Sequence, residues 1–216
     1  MPDLDFRVLG ADSLPYAAGP TMLFTLNIEN SVEEERIQSI MLRTQIRIEV
    51  TRRQYDSRTE DRLLDVFGPT QRWGETLRSL LWTHTSTIVQ GFDHSTVAEL
   101  HVPCTYDFEV VGAKYFHALE DGDVPLLFLF SGTIFYSKDD GPLQIAQVSW
   151  EKEAQFRLPI RVWKEMMEGF FPNSAWLRVQ KDVFDRLYDY KARGALPTWE
   201  ATIDELLQRS SAESGR

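Results

Sequence analysis

The run Ile40-Met41-Leu42-Arg43-Thr44-Gln45-Ile46-Arg47-Ile48-Glu49-Val50 constrains the fold more than any other part of the chain. Its even positions are apolar apart from Thr44. Its odd positions after Met41 are polar or charged. A period of two over that length describes a strand with one face buried and one in water. Such a strand suits an antiparallel sheet, because parallel sheets are usually covered on both faces.

The neighbouring segments extend this sheet. Residues 4–8 alternate and predict a first strand, followed by a Gly- and Pro-bearing loop over 10–20. Met22, Phe24, Leu26 and Ile28 share one face of a second strand. The polar link 30–35 then predicts a hairpin between that strand and the long one over 36–53. From 55 to 92 the period becomes helical, through Leu63, Val66 and Phe67 and then Trp73, Leu77, Leu80 and Leu81. Strand character returns over 100–111, with Tyr106, Phe108 and Val110 on one face, and again over 124–136. Gly132 there marks a bulge or bend. Residues 143–150 make a return strand after the turn at 137–142.

Helices follow. Pro159 suits a first helical turn, and Val162, Trp163, Met166, Met167 and Phe170 are at helical spacing before Phe171-Pro172 ends them. Asp182 is placed to cap a second helix, with Gly194 past its end. Thr198 is placed to cap a third that runs to about residue 207. Strands first and helices last predict an α+β fold. The expected organisation is one domain over 1–209. It has an antiparallel β-sheet, C-terminal helices packed on one face and a helical insertion between strands at about 55–92. A disordered tail over 210–216 follows.

Charge narrows the function classes. The formal net charge of −10 disfavours broad binding to nucleic acid or to an anionic membrane. The longest apolar run, 124–130, is far short of the roughly 20 residues that span a bilayer. Cys104 is the only cysteine, so no intramolecular disulfide forms. The acidic start Met1-Pro2-Asp3-Leu4-Asp5 is unlike a signal peptide, which predicts a cytoplasmic protein. Arg outnumbers Lys 17 to 6, and Arg43, Arg47, Arg52, Arg53, Arg58, Arg62, Arg72 and Arg78 fall in one third of the chain. That cluster reads as Arg–carboxylate pairing on a wet sheet face, with a dock for an acidic partner as the alternative.

No motif for phosphate binding or nucleophilic catalysis is present. His94, Glu99, His101 and Cys104 lie close in sequence but match no closed zinc spacing, so neither a metal nor a cofactor is expected. Asp107 and Glu109 share a strand face and read as partners for Arg43 or Arg47, not as a catalytic pair. The aromatics stand out. Trp163, Met166, Phe170 and Phe171 form a wide apolar band with adaptable Met, and Trp73 and Trp82 lie in the insertion. These six residues are the candidate client-binding set.

Three stretches carry a resemblance: Pro103-Cys104-Thr105-Tyr106-Asp107-Phe108-Glu109-Val110, Val124-Pro125-Leu126-Leu127-Phe128-Leu129-Phe130-Ser131-Gly132-Thr133, and Phe171-Pro172-Asn173-Ser174-Ala175-Trp176-Leu177. Over nearly the full chain they resemble an uncharacterised, mainly actinobacterial family whose genes often lie near those for nickel–iron hydrogenases. That resemblance implies a hydrogenase accessory role. A second likeness rests on the apolar strand leading into Gly132-Thr133-Ile134-Phe135, the helix opening at Leu158-Pro159, then Phe171-Pro172 and Phe184-Asp185-Arg186-Leu187-Tyr188. In this order of elements the chain is similar to the SecB-like export chaperones. The insertion at 55–92 has no counterpart there, and the basic, metal-binding tail of some SecB chains is absent.

The function expected from these readings is a non-enzymatic accessory or chaperone-like protein that binds a protein client, a hydrogenase subunit by the resemblance. A stable adaptor subunit is the second reading. An enzyme is the third, requiring a pocket that joins Asp107 and Glu109 with His101 or His117. Sheet edges need cover, so a homo-oligomer is expected.

Overall fold

The computed structural model describes every residue except 33, 106, 108, 109, 139, 140, 175–177, 215 and 216, and the side chains of 213 and 214. The chain divides into two units, 1–175 and 176–216.

The first unit holds eight strands: β1 Leu4–Ser13, β2 Thr21–Asn30, β3 Glu35–Ile48, β4 Leu80–Phe92, β5 Ser95–Pro103, β6 Asp123–Lys138, β7 Gln144–Gln147 and β8 Glu153–Pro159. All pairings are antiparallel. With five helices in this unit and two in the next, the class is α+β, as the order of elements predicts. The strands divide between two sheets, however. One has the order β1-β2-β5. The other has the order β4-β3-β6-β7, with β8 also on β6.

The predicted β2–β3 hairpin does not form, because the two strands lie in different sheets. The link between them is an arch. The Asn30 amide donates to the carbonyls of Val32 and Glu35 at 3.0 and 2.8 Å. The Ser31 amide donates to the Asp3 carbonyl at 3.0 Å. A hairpin would put both apolar rows on one face of one sheet, whereas the arch makes them face each other. Alternation is satisfied either way, so periodicity alone could not choose. Across the interior the Phe24 ring of β2 lies 5.1 Å from Phe128 of β6, and Phe6 of β1 stacks on Phe130 at 4.3 Å.

Other boundaries also move. β1 runs on to Ser13, through a register shift between Val8 and Gly10 where Leu9 stands exposed, because it stays paired with β2. The helical stretch after β3 is limited to α1 Ser57–Arg62, α2 Leu64–Phe67 and α3 Trp73–Thr76. Residues 80–92 are a strand and not part of a helical insertion. Their inward row, Thr83, Thr85, Thr87 and Val89, is β-branched and suits a pleated surface, but its hydroxyls disguise the period. The strand predicted over 100–111 ends at Pro103. Tyr106 and Phe108 lie outside the described residues, and α4 Val111–Ala118 begins at the predicted strand's last position. α4 escaped prediction because it is short and holds a glycine. That Gly112 lies where a Cβ would come 3.3 Å from Trp82 Cδ1.

β6 is the spine of the larger sheet. β3 flanks it from 126 to 138, while its other side is shared by β8 at 123–129 and β7 at 133–136. The changeover falls at Gly132, whose φ is 152° and whose carbonyl accepts from Val148 N at 3.0 Å. A Cβ there would sit 2.2 Å from the Met41 carbonyl oxygen. α5 Ile160–Phe170 follows β8, with Pro159 at its N-cap instead of in the first helical turn, and buries Ile160, Trp163, Met166 and Met167.

The second unit is a helical pair, α6 Lys181–Arg193 and α7 Trp199–Ser214. Asp182 is not the cap. Gln180 holds that position without a side-chain bond, and Asp182 sits in the first turn, where a carboxylate favours the positive helix end. Thr198 does cap α7, its hydroxyl accepting from Ala201 N at 3.1 Å. The helix runs past the expected end to Ser214, into the stretch read as a disordered tail.

Two substitutions test this packing in opposite directions. Thr44 sits on the core row of β3 at 1 % exposure, and its hydroxyl finds no hydrogen-bond partner among the described residues. The near-isosteric Thr44→Val should stabilise the chain by about 1 kcal/mol in urea unfolding, because an unpaired buried hydroxyl costs roughly that. Gly132→Ala should destabilise it by about 2 kcal/mol or more in the same measurement, from the Met41 clash and the positive φ.

Candidate functional site

One end of the first unit carries a layer of aromatic side chains from five elements. Trp82 of β4 lies 4.7 Å from Phe116 of α4, and Phe116 stacks on Trp163 of α5 at 5.4 Å. Trp73 of α3 meets Tyr55 and Phe67 edge-on, and Phe67 meets Tyr115. A polar thread crosses this layer. Tyr55 donates its hydroxyl proton to the Val50 carbonyl at 2.7 Å, so Tyr115, 2.8 Å away, donates to Tyr55. Burial raises the pKa of both phenols, which stay protonated at neutral pH.

Above the layer is an open groove of about 750 Å³ between the ends of α1 and α4 and the outer face of α5. Trp163, Met167 and Phe171 line its floor. Arg62, His117, Glu120, Lys164, Glu165 and Glu168 line its rim. The cations are engaged by the loop that follows α4. Arg58 and Arg62 both pair with the Glu120 carboxylate, at 2.7 and 3.2 Å, and Lys164 donates to the Glu120 carbonyl at 2.8 Å. Arg53 completes the clamp, donating to the carbonyls of Asp121 and Asp123 at 2.6 Å each. Gly122, at φ 77°, lets the loop pass close to that guanidinium. Three of the eight clustered arginines thus hold one loop in place. Arg36 pairs with Asp93, and Arg47 donates to Ser79.

The six candidate client-binding residues have separate fates. Trp163 and Met166 are core side chains, at 4 % and 2 % exposure, and Trp163 shows itself only at the floor of the groove. Trp73, Trp82, Phe170 and Phe171 are half-buried against the same core. Their sequence clustering reflects the aromatic layer, which the spacing alone could not distinguish from a surplus. Exposed apolar side chains lie elsewhere. Trp150 stands 90 % exposed between β7 and β8, and Phe184, Tyr188 and Leu207 are exposed on the helical pair.

The remaining candidates do not converge. His101 lies on β5 beside Glu99, 3.5 Å away, while His94 belongs to the β4–β5 connection. His84 is on β4. Cys104 follows β5, half-buried. Desolvation pushes its thiol up to about 12, and Sγ points at the Val102 carbonyl. Asp107 lies outside any strand, its amide bonded to the Thr105 hydroxyl, and Glu109 is outside the described residues. No group of three or more His, Cys, Asp or Glu side chains is placed to hold a metal ion among the described residues. No helix there is long and apolar enough to cross a membrane.

His117 gives the groove a measurable property. Loss of hydration, then the nearby Arg62 and Lys164, lower its pKa below the ordinary 6.5. The folded chain therefore holds this proton less tightly than the unfolded chain. The group's contribution to stability is present above pH 6.5 and is lost as pH falls through the folded value. An NMR titration should place the His117 midpoint below 6.5, and Lys164→Met should move it upward. A midpoint at or above 6.5 in the unmodified chain would contradict this electrostatic picture.

Comparison with known proteins adds little about activity. No curated protein matches the chain. Among solved structures, it is similar to the CARDB domain of a Pyrococcus furiosus protein, at 9 % identity and a TM-score of 0.29, over 73 % of this chain and 92 % of that one. It is also similar to an ApaA protein of Bordetella pertussis, at 11 % identity and 0.24, over 73 % and 93 %. A third likeness is to β-glucosidase 3B of Thermotoga neapolitana, at 14 % and 0.25, over 72 % of this chain and 17 % of the enzyme. Superpositions this loose carry no weight for function. The family assignment is firm: a family model matches residues 1–215, and the chain belongs to the family of unknown function DUF6084.

Proposed function

We propose that this chain is a non-enzymatic, chaperone-like accessory protein that binds a protein client. The observation that carries the reading is the helical pair. Thr202 is the only buried residue among those described in 178–212. The pair has side-chain contacts, with Phe184 and Tyr188 at 5.4 and 6.3 Å from the Trp199 ring. Yet Phe184 remains 42 % exposed, Tyr188 56 % and Leu207 60 %. A unit of this size buries too little to support itself, and such apolar faces mark interaction sites.

The partner chemistry that fits is an apolar helix or strand of an incompletely assembled subunit, which would cover this face. The acidic remainder of the chain would keep the complex soluble. The family resemblance implies a nickel–iron hydrogenase subunit as the client, and the setting proposed for the contact is the cytoplasm. The binding surface in this reading is Phe184, Tyr188 and Leu207 in place of the buried Trp163 and Met166.

The test is suppression of light scattering by a destabilised client, with a pull-down from the native host. The intact chain should protect the client near equimolar ratio. Phe184→Asp with Leu207→Asp should raise the ratio needed at least about tenfold, as loss of a central apolar anchor does. The pull-down should recover a hydrogenase subunit that is absent from the mature enzyme. A fixed ratio in the mature complex would make the chain a structural subunit instead. If it neither protects a client nor retains a hydrogenase component, the proposal fails.

A further inference from the structure

Two facing sheets leave four edges, and three of them carry devices that block further pairing. On one side, β1 bears Asp5 and Arg7, and Lys152 ties Asp3 and Asp5 at 2.8 and 3.4 Å. The edge beside it is divided between the short β7 and β8, which the 148–152 segment separates. On the other side, β5 carries Glu99 and ends at Pro103. Its His101 carbonyl accepts the Thr85 hydroxyl at 2.9 Å. Charges, prolines, interruptions and covered carbonyls are the usual means by which natural sheets avoid association.

The fourth edge, β4, carries neither a charge nor a proline; its ladder with β3 is irregular at Trp82, and the His84 carbonyl accepts the Thr83 hydroxyl at 3.3 Å, but from Thr85 to Phe92 no such device stands on it. Its sequence, Leu-Leu-Trp-Thr-His-Thr-Ser-Thr-Ile-Val-Gln-Gly-Phe, contains no Asp, Glu, Lys, Arg or Pro. Every other strand of more than four residues contains at least one charged side chain. Among the described residues β4 pairs only with β3. α4 packs beside its Trp82 end, and the stretch beyond opens on a cleft of about 660 Å³ between Ser86–Gln90 and the β5 edge. Ile88, 66 % exposed, stands on its outer face.

The geometry points to β4 as a self-pairing edge that joins two copies of this chain through one continuous antiparallel sheet. The occupant follows from charge and from self-complementarity. Each copy carries −10, so two copies approach most easily where neither presents a charge. An antiparallel pair with Ser86 on the two-fold axis sets Thr85 opposite the partner's Thr87 and Thr83 opposite the partner's Val89. It also sets His84 opposite the partner's Ile88. Threonine and β-branched cross-strand pairs of this kind are favourable. A two-fold contact uses the same patch on both copies and closes the assembly at two. This inference does not depend on the client reading.

Light scattering and sedimentation of the full chain, from about 1 to 100 μM, should show a dimer. Ser86 points away from the core, so Ser86→Lys should leave the thermal unfolding of the monomer, followed below the dimer dissociation constant, unchanged. It should raise the dimer dissociation constant at least about tenfold by placing two cations face to face. Gln147→Lys, on the opposite edge, should change neither. Ser86→Cys should form a covalent dimer on mild oxidation, while the half-buried Cys104 of the parent chain should not. A wild-type chain that stays monomeric at 100 μM overturns the inference. So does a dimer that Ser86→Lys leaves intact and Ser86→Cys does not cross-link, since its interface would lie elsewhere. A monomer whose client protection fails with Ser86→Lys overturns it too, because the edge would then receive a client strand.

Discussion

The fold depends on the arch between β2 and β3. Two alternating strands that follow one another in sequence are sent into different sheets. Everything inside the first unit then packs between their facing rows. Asn30, 5 % exposed, is the fastening. Its amide nitrogen holds the carbonyls of Val32 and Glu35, and its backbone N–H donates to His94 at 2.8 Å. The second crossing between the sheets, from β4 to β5, is thereby tied to the first. With both crossings fixed, Phe24 comes within ring contact of Phe128, Trp82 and Phe156, from three other strands. Deleting a ring in such a position costs about 3–5 kcal/mol, and cannot be relieved by one neighbour relaxing.

The same arrangement explains the end of the unit that bears the groove. β4 brings Trp82 to the rim of the interior, β8 hands the chain to α5 with Trp163, and α4 supplies Phe116 between the two indoles. The loop after α4 must then turn sharply back into β6. Four cations from two parts of the sequence, Arg53, Arg58 and Arg62 on one side and Lys164 on the other, hold it by its carbonyls and by Glu120. The groove is a by-product of that closure. Its cations are oriented towards the loop, and its floor is the core itself.

Class and strand content were legible in the sequence because period two is a strong signal where one row is apolar, as in β2 and β3. Sheet membership was not, because an arch and a hairpin bury the same residues. β4 was misread because threonines stand where a periodicity reading expects aliphatics, and α4 was missed because its glycine makes room for Trp82. Two of the six candidate residues, Trp163 and Met166, prove buried for a related reason. Trp163 and Met166 were chosen for their density in sequence, but density cannot separate a core built from several elements from an exposed band. The feature that does separate them, which face each element buries, is tertiary. For α6 the amphipathic face of Phe184, Leu187 and Tyr188 was legible, and only the structure shows that none of it is buried.

Charge distribution ties the two proposed contact surfaces together. Residues 176–216 contain seven Lys or Arg and seven Asp or Glu, so the whole excess of ten negative charges lies on 1–175. Within that acidic unit, β4 is the one long strand without a charge. The helical pair and the β4 edge are therefore the places where surface can be buried against a second molecule at least electrostatic cost. Apolar burial does not discriminate between partners, but repulsion elsewhere on the surface does. An acidic body with one uncharged strand edge and one net-neutral helical pair favours association at those two places. It also separates their roles, because a strand edge accepts backbone and a helical face accepts side chains.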